Sequence, residues 1–152
     1  MKIAIGSDHR GYNLKEFVKK LLDEHGYEYH DYGCYNEDSV DYPDVAVQVA
    51  EGIASGEYER GILICGTGIG MCIAANKVNG IRAAQCYDAF TAQRARLHND
   101  AQICCIAAEA GKVRVPSIIE KFLTTNFEGG RHIARLEKIR MIEEKQCAEK
   151  KK

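Results

Sequence analysis

Apolar residues return along this chain in two rhythms that take turns. Short unbroken runs such as Ile3-Ala4-Ile5, Ile62-Leu63-Ile64 and Ile103 to Ala107 alternate with stretches in which apolar positions recur every third or fourth residue. The runs predict buried strands and the spaced stretches predict amphipathic helices. Lys2 to Ser7 is the first strand; Leu14, Phe17, Val18, Leu21 and Leu22 then mark a helix that Gly26 stops. Tyr27 to Tyr32 is a second strand, followed by a polar loop over 33–41. Pro43 suits a first helical position, and Val45, Val49 and Ile53 form a stripe ending near Gly56. After the Ile62 strand come a helix-compatible segment (72–77), a strand (81–86), and a helix over 89–97 with Asp88 as N-cap. A fifth strand (103–107), a helix (116–123) and a last helix from about His132 complete the pattern, with a lysine-rich end predicted to fray over about 146–152.

Five strands alternating with helices predict one doubly wound α/β domain spanning 1–152. The expected architecture is Rossmann-like or flavodoxin-like, a five-stranded parallel sheet with helices on both faces plus a C-terminal helix. At 152 residues the chain is long enough for a real core. A net charge of −1 argues against an electrostatic grip on nucleic acid or an anionic membrane. No apolar run is long enough for a leader or a membrane span, which predicts a cytoplasmic protein. The seven cysteines are odd in number, form no Cys-x-x-Cys pair and share no zinc-ligand spacing with the five histidines. Reduced core thiols are therefore expected for Cys72, Cys86, Cys104 and Cys105.

Cys65 is different. It ends an apolar strand and opens GILICGTGIGM, in which Gly66, Gly68 and Gly70 surround Thr67. A strand that passes through alternating glycines into a helix start presents unpaired N–H groups to an anion. A thiol there feels the same field, which lowers a cysteine pKa. In a parallel sheet ligands bind beyond the carboxyl ends of the strands. Asp8 and His9, Cys65 to Thr67, and Tyr87 with Asp88 should share that rim, whereas His98, Asn99 and Asp100 precede the fifth strand and start on the opposite one. Arg131 and Arg135 fall on one face of a helix start, a good phosphate site. Three other glycine-loop readings fit poorly. The spacing is not that of a dinucleotide site, Met71 stands where a cysteine phosphatase needs arginine, and no Lys-Ser/Thr follows as in a P-loop. A non-catalytic flavodoxin-like binding module, a receiver or nucleotide-binding domain, is the alternative from another class; of these a receiver would want an aspartate where Cys65 stands.

With these residues assembled, the sequence resembles the ribose-5-phosphate isomerase B family, which includes galactose-6-phosphate isomerase subunits. GSDHRGYNLK at 6–15, VDYPD at 40–44, ICGTGIGMCIAANKVNGIRAA at 64–84, HND at 98–100 and EGGRHIARLEKI at 128–139 carry the resemblance. It implies aldose–ketose isomerisation of a phosphosugar through an enediolate, with no metal and no cofactor. By that resemblance Cys65 is the base, Thr67 moves the hydroxyl proton, and the Gly66 to Gly70 amides hold the enediolate. His98 assists ring opening, Asp8 and Asn99 bind sugar oxygens, His9, Arg131 and Arg135 bind phosphate, and Tyr42 lines the site. The site is expected between subunits of a homodimer or a dimer of dimers. The expected substrate is ribose 5-phosphate, with a hexose 6-phosphate (allose or galactose) as the alternative. In one departure, Glu109 stands where the family has a phosphate-binding arginine, a role for which Lys112 or Arg114 is the expected substitute.

Overall fold

The computed structural model describes residues 1–152. Its five strands are β1 (Lys2–Ser7), β2 (Glu28–Asp31), β3 (Arg60–Cys65), β4 (Ala83–Gln85) and β5 (Ile103–Ala107). All pair in parallel, in the order β2-β1-β3-β5-β4. The helices are α1 (Tyr12–Glu24), α2 (Tyr42–Ala54), α3 (Ile69–Ala75), α4 (Ala89–Asn99), α5 (Val115–Thr124) and α6 (Arg131–Lys150). The doubly wound α/β expectation is met, and no helix is long and apolar enough to cross a membrane.

The strict alternation of side chains along each strand builds two cores. Ile3, Ile5, Ile62, Ile64, Cys104 and Ile106 face one layer with residues of α1, α4 and α5. Ala4, Leu63, Cys65, Ile103 and Cys105 face the other with residues of α2 and α3. Because β1 lies between β2 and β3, the chain reverses its winding direction there. The crevice beyond the carboxyl ends of β1 and β3 is thus the switch point at which such sheets bind ligands.

Local chemistry explains the element ends. Gly26 stops α1 with φ +72°. Asp88 caps α4 in a reciprocal capping box with Thr91. Two boundaries differ from expectation. β4 is shorter than 81–86, since the Arg82 and Ala83 amides donate to the Gln102 and Asn76 side chains at the strand's entry. The final helix continues past residue 146 to Lys150 where fraying was expected. Strong helix formers at Lys145, Gln146, Ala148 and Glu149 favour that continuation.

Candidate active site

The register of the sheet assembles the first half of the site. Ser7 pairs with Ile64 and Cys65 with Ala107, so Asp8, Cys65 and the Ala107–Glu109 segment leave the sheet side by side. The Asp8 amide donates to the Ile64 carbonyl at 3.2 Å. Asp8 is buried, and its Oδ1 accepts from the Gly11 amide at 2.9 Å, so one carboxylate oxygen caps the short turn His9–Gly11. His9 accepts the Val40 amide on Nδ1 at 3.1 Å. That bond selects the tautomer with the proton on Nε2, leaving a donor to aim at an anion.

The glycine loop follows. Cys65 is only 4% exposed, its sulfur sitting under the loop and accepting from the Gly68 amide at 3.2 Å. Gly68 is left-handed at φ +75°, which lets α3 begin at Ile69, three residues ahead of the expected segment. A Cβ on Gly68 would lie 3.1 Å from the Ile106 carbonyl carbon, so sterics as well as φ require glycine there. The amides of Gly66, Thr67, Gly70 and Met71 have no acceptor within the chain. Thr67 is exposed, its hydroxyl accepts from the Ile69 amide at 3.3 Å, and its carbonyl is held by Gln85 Nε2 at 2.6 Å. Tyr42, at the start of α2, lays its ring on Gly70, where an added Cβ would fall 2.7 Å from Tyr42 Cζ.

A second group forms at the other rim. His98 and Asn99 end α4, and Arg82, which precedes β4, donates to the Asn99 carbonyl at 2.8 Å. The Glu128 amide donates to the Leu97 carbonyl, which brings the start of α6 against them. Exposed Arg131 and Arg135 lie on that first part of α6. The structure therefore separates the expected residues into two halves: Asp8, His9, Tyr42 and Cys65 to Gly70 on the carboxyl rim, and His98, Asn99, Arg131 and Arg135 on the amino rim.

Sequence reasoning missed the surroundings of His98. Its ring stacks on buried His132 at 4.3 Å and 15°, and Glu128 Oε2 lies 3.8 Å from His98 Nε2 and 3.3 Å from His132 Nε2. Desolvation first, then the neighbouring His132 and Arg94, hold His98 below the usual imidazole pKa, against the pull of Glu128. The ligand atoms of His98, Glu128 and His132 lie within 4.8 Å of one another. Nearly parallel rings keep their in-plane lone pairs parallel rather than convergent, so the trio does not fit a shared ion. The signal was present in EGGRH, which places Glu128 one turn before His132.

Two further expectations change. Cys72 is half-buried rather than an inert core thiol, and hydrogen bonding from Cys105, with help from the Gln85 backbone and Asn76, lowers its pKa to about 7 against the opposing effect of burial. Neither expected cation forms a hydrogen bond or ion pair with the loop. Lys112 Nζ lies over the Phe17 ring at 5.3 Å, and Arg114 sits at the start of α5, where its charge acts on Asp88. Glu109 is paired instead with Arg10.

The chain matches the Ribose/Galactose Isomerase family over residues 3–139. It is 44% identical over 146 residues to the ribose-5-P isomerase B of Listeria innocua, spanning 95% of this chain and 99% of that one. It is 46% identical over 142 residues to the D-erythrulose-4-phosphate isomerase of Pectobacterium atrosepticum, spanning 91% and 93%. The solved structure of Clostridium thermocellum ribose-5-phosphate isomerase B matches with a TM-score of 0.94 at 50% identity, covering 96% and 99%.

Proposed function

The chain belongs to the ribose/galactose isomerase family, and as a sugar-phosphate isomerase of that family we propose that it interconverts ribose 5-phosphate and ribulose 5-phosphate with Cys65 as the base. The observation that carries this reading is the Cys65 sulfur under a loop of free amides at the sheet's switch point. The Cys65 thiolate takes the proton from C2 of the open aldose. The electron pair left behind moves onto the carbonyl oxygen, giving an enediolate whose charge the loop amides receive. Thr67 passes the hydroxyl proton from O2 to O1, and Cys65 returns its proton to C1. Preorganised donors aimed at a developing oxyanion each contribute about 3 kcal/mol in such steps. Burial of the sulfur keeps those interactions out of bulk water, where they would be weaker.

Ring opening needs a proton donor and acceptor, and His98 is suited to it; phosphate needs Arg131 and Arg135. Both belong to the amino rim, so the complete site is built from the carboxyl rim of one subunit and the amino rim of another. The form of α6 supports that arrangement. Of its twenty residues only His132 is buried, while Ile133, Ile139, Met141 and Ile142 stay exposed. A helix held so lightly by its own chain is well placed to be covered by a second copy.

The test is turnover of ribose 5-phosphate with exchange of the C2 proton into solvent. Cys65→Ala should lower kcat by about 10²–10⁴-fold, the usual worth of a general base. Iodoacetamide should label Cys65, and substrate should protect it. Full activity in the variant, or a thiol that no reagent reaches, would overturn the assignment. The similarity to a D-erythrulose-4-phosphate isomerase favours one second reading, a sugar phosphate of different length. Comparing kcat/KM across four-, five- and six-carbon phosphates, the hexose 6-phosphates included, separates the two.

A further inference from the structure

We propose that Arg10 is a substrate-phosphate ligand of this isomerase and that Glu109 is the residue that positions it; the inference rests on the reading of Cys65 as the base. Two short turns flank the glycine loop, His9–Gly11 after β1 and Ala108–Ala110 after β5. Arg10 comes from the first and Glu109 from the second, and they meet as an ion pair across Gly66. The pair rests on the backbone of that residue. A Cβ on Gly66 would fall 2.9 Å from Arg10 Cζ, 3.0 Å from Glu109 Oε1 and 3.1 Å from Arg10 Nε. The Glu109 amide also donates to the Gly66 carbonyl at 3.0 Å, tying the carboxylate's own turn to the loop.

Stability does not account for this arrangement. Both side chains are more than half exposed, at 59% and 51%, and an exposed pair contributes only about 0–1 kcal/mol. What the pair does is fix a guanidinium against the residue that follows Cys65. A guanidinium has five N–H donors and one carboxylate engages at most two, so donors remain for an incoming anion. From C2 of an extended pentose 5-phosphate the phosphorus is about 6 Å away, counted over five bonds of about 1.5 Å. With C2 at the Cys65 sulfur, the phosphate reaches past the next residue, Gly66, on whose backbone the guanidinium lies. His9 is Arg10's neighbour in the same turn and points its free Nε2 donor from the same rim. Of the other basic residues near β5's exit, Lys112 lies over Phe17, and Arg114, at the head of α5, has no carboxylate partner to hold its guanidinium in place.

The experiment compares KM, kcat and the inhibition constant of inorganic phosphate in the wild-type protein and in R10A, R10K, E109A and the reversed pair R10E/E109R. In R10A, KM and the phosphate inhibition constant should rise together by about tenfold or more, the loss of a charged hydrogen bond, with kcat within about threefold. R10K should recover part of the affinity, as a point charge without the fork. E109A should raise both constants by releasing the guanidinium to solvent. R10E/E109R should recover most of what R10A loses, because the fork then reaches Gly66 from the other turn. Unchanged constants in R10A, or a fall in kcat and stability alone, would overturn the phosphate role. A lower KM in E109A would show that the carboxylate merely competes with substrate and would overturn its positioning role. Wild-type turnover of ribose 5-phosphate in the same assay keeps the two readings apart. Its absence sinks the parent assignment, whereas turnover with an indifferent Arg10 sinks this one alone.

Discussion

Lys15 is wholly removed from solvent, an unusual place for an ammonium group unless it is paired. Its Nζ lies 2.6 Å from Asp31 Oδ1, Lys19 lies 3.0 Å from Oδ2, and the Gly33 amide donates to Oδ1 at 2.8 Å. Burial alone would raise the Asp31 pKa; the bonds from Lys15, Gly33 and Lys19 outweigh it and hold the carboxyl below its usual value. A depressed folded pKa gives stability that is fully present above the unfolded value, about 3.9, and is lost as pH falls through the folded one. Lys15→Met keeps the packing but removes one of three partners of Asp31, leaving Lys19 and the Gly33 amide, so unfolding at pH 7 should be easier by about 1–3 kcal/mol, the worth of a hydrogen bond to a charged group. In denaturant titrations the gap from wild type should narrow as pH is taken below 4. A gap that does not narrow would place the energy in packing instead of charge. Nothing in the sequence period marks Lys15, which sits among the apolar positions of α1; its partner comes from β2 and appears only when the two elements pack.

The unit from β3 through the glycine loop to α3 was the most legible element, because its signals are local. An apolar run, a terminal thiol and alternating glycines specify a buried strand that turns into a helix start. The residue at which the helix begins was not legible, since glycine composition alone does not say which glycine turns left-handed. Gly68 does, and it also meets the backbone of β5. Gly68→Ala should therefore lose about 1–3 kcal/mol in urea unfolding, from the dihedral and the contact together. Its isomerase activity should fall further than stability explains, because the displaced amide is the one bonded to Cys65 Sγ. Gly80→Ala is the control. It has φ +83° and open space around it, so it should cost about 1 kcal/mol and leave activity intact. Equal effects of the two changes would mean that the loop's fit against β5 is unimportant.

For the whole molecule, the proposed site shared across two rims predicts that one chain does not catalyse alone. Mixing inactive Cys65→Ala and His98→Ala proteins under conditions of subunit exchange should restore about a quarter of wild-type activity. Half of the dimers would be mixed, each with one intact site out of two. No recovery, with exchange verified by mass, would place the complete site within a single chain. The same prediction gives the exposed face of α6 a role that its own protomer does not, since Ile139, Met141 and Ile142 find no core there.

Local signals along the chain specify the alternation of strands and helices, the parallel layered class, and the thiol-bearing glycine loop. Each follows from hydrophobic period or turn chemistry, which act over a few neighbouring residues. Tertiary structure alone decided that β5 inserts between β3 and β4, that Glu128 and His132 surround His98, and that Glu109 holds Arg10 instead of leaving its place to Lys112 or Arg114. Those choices join residues far apart in the chain. They depend on strand register and on which side chains converge once the layers close, and no local pattern encodes either.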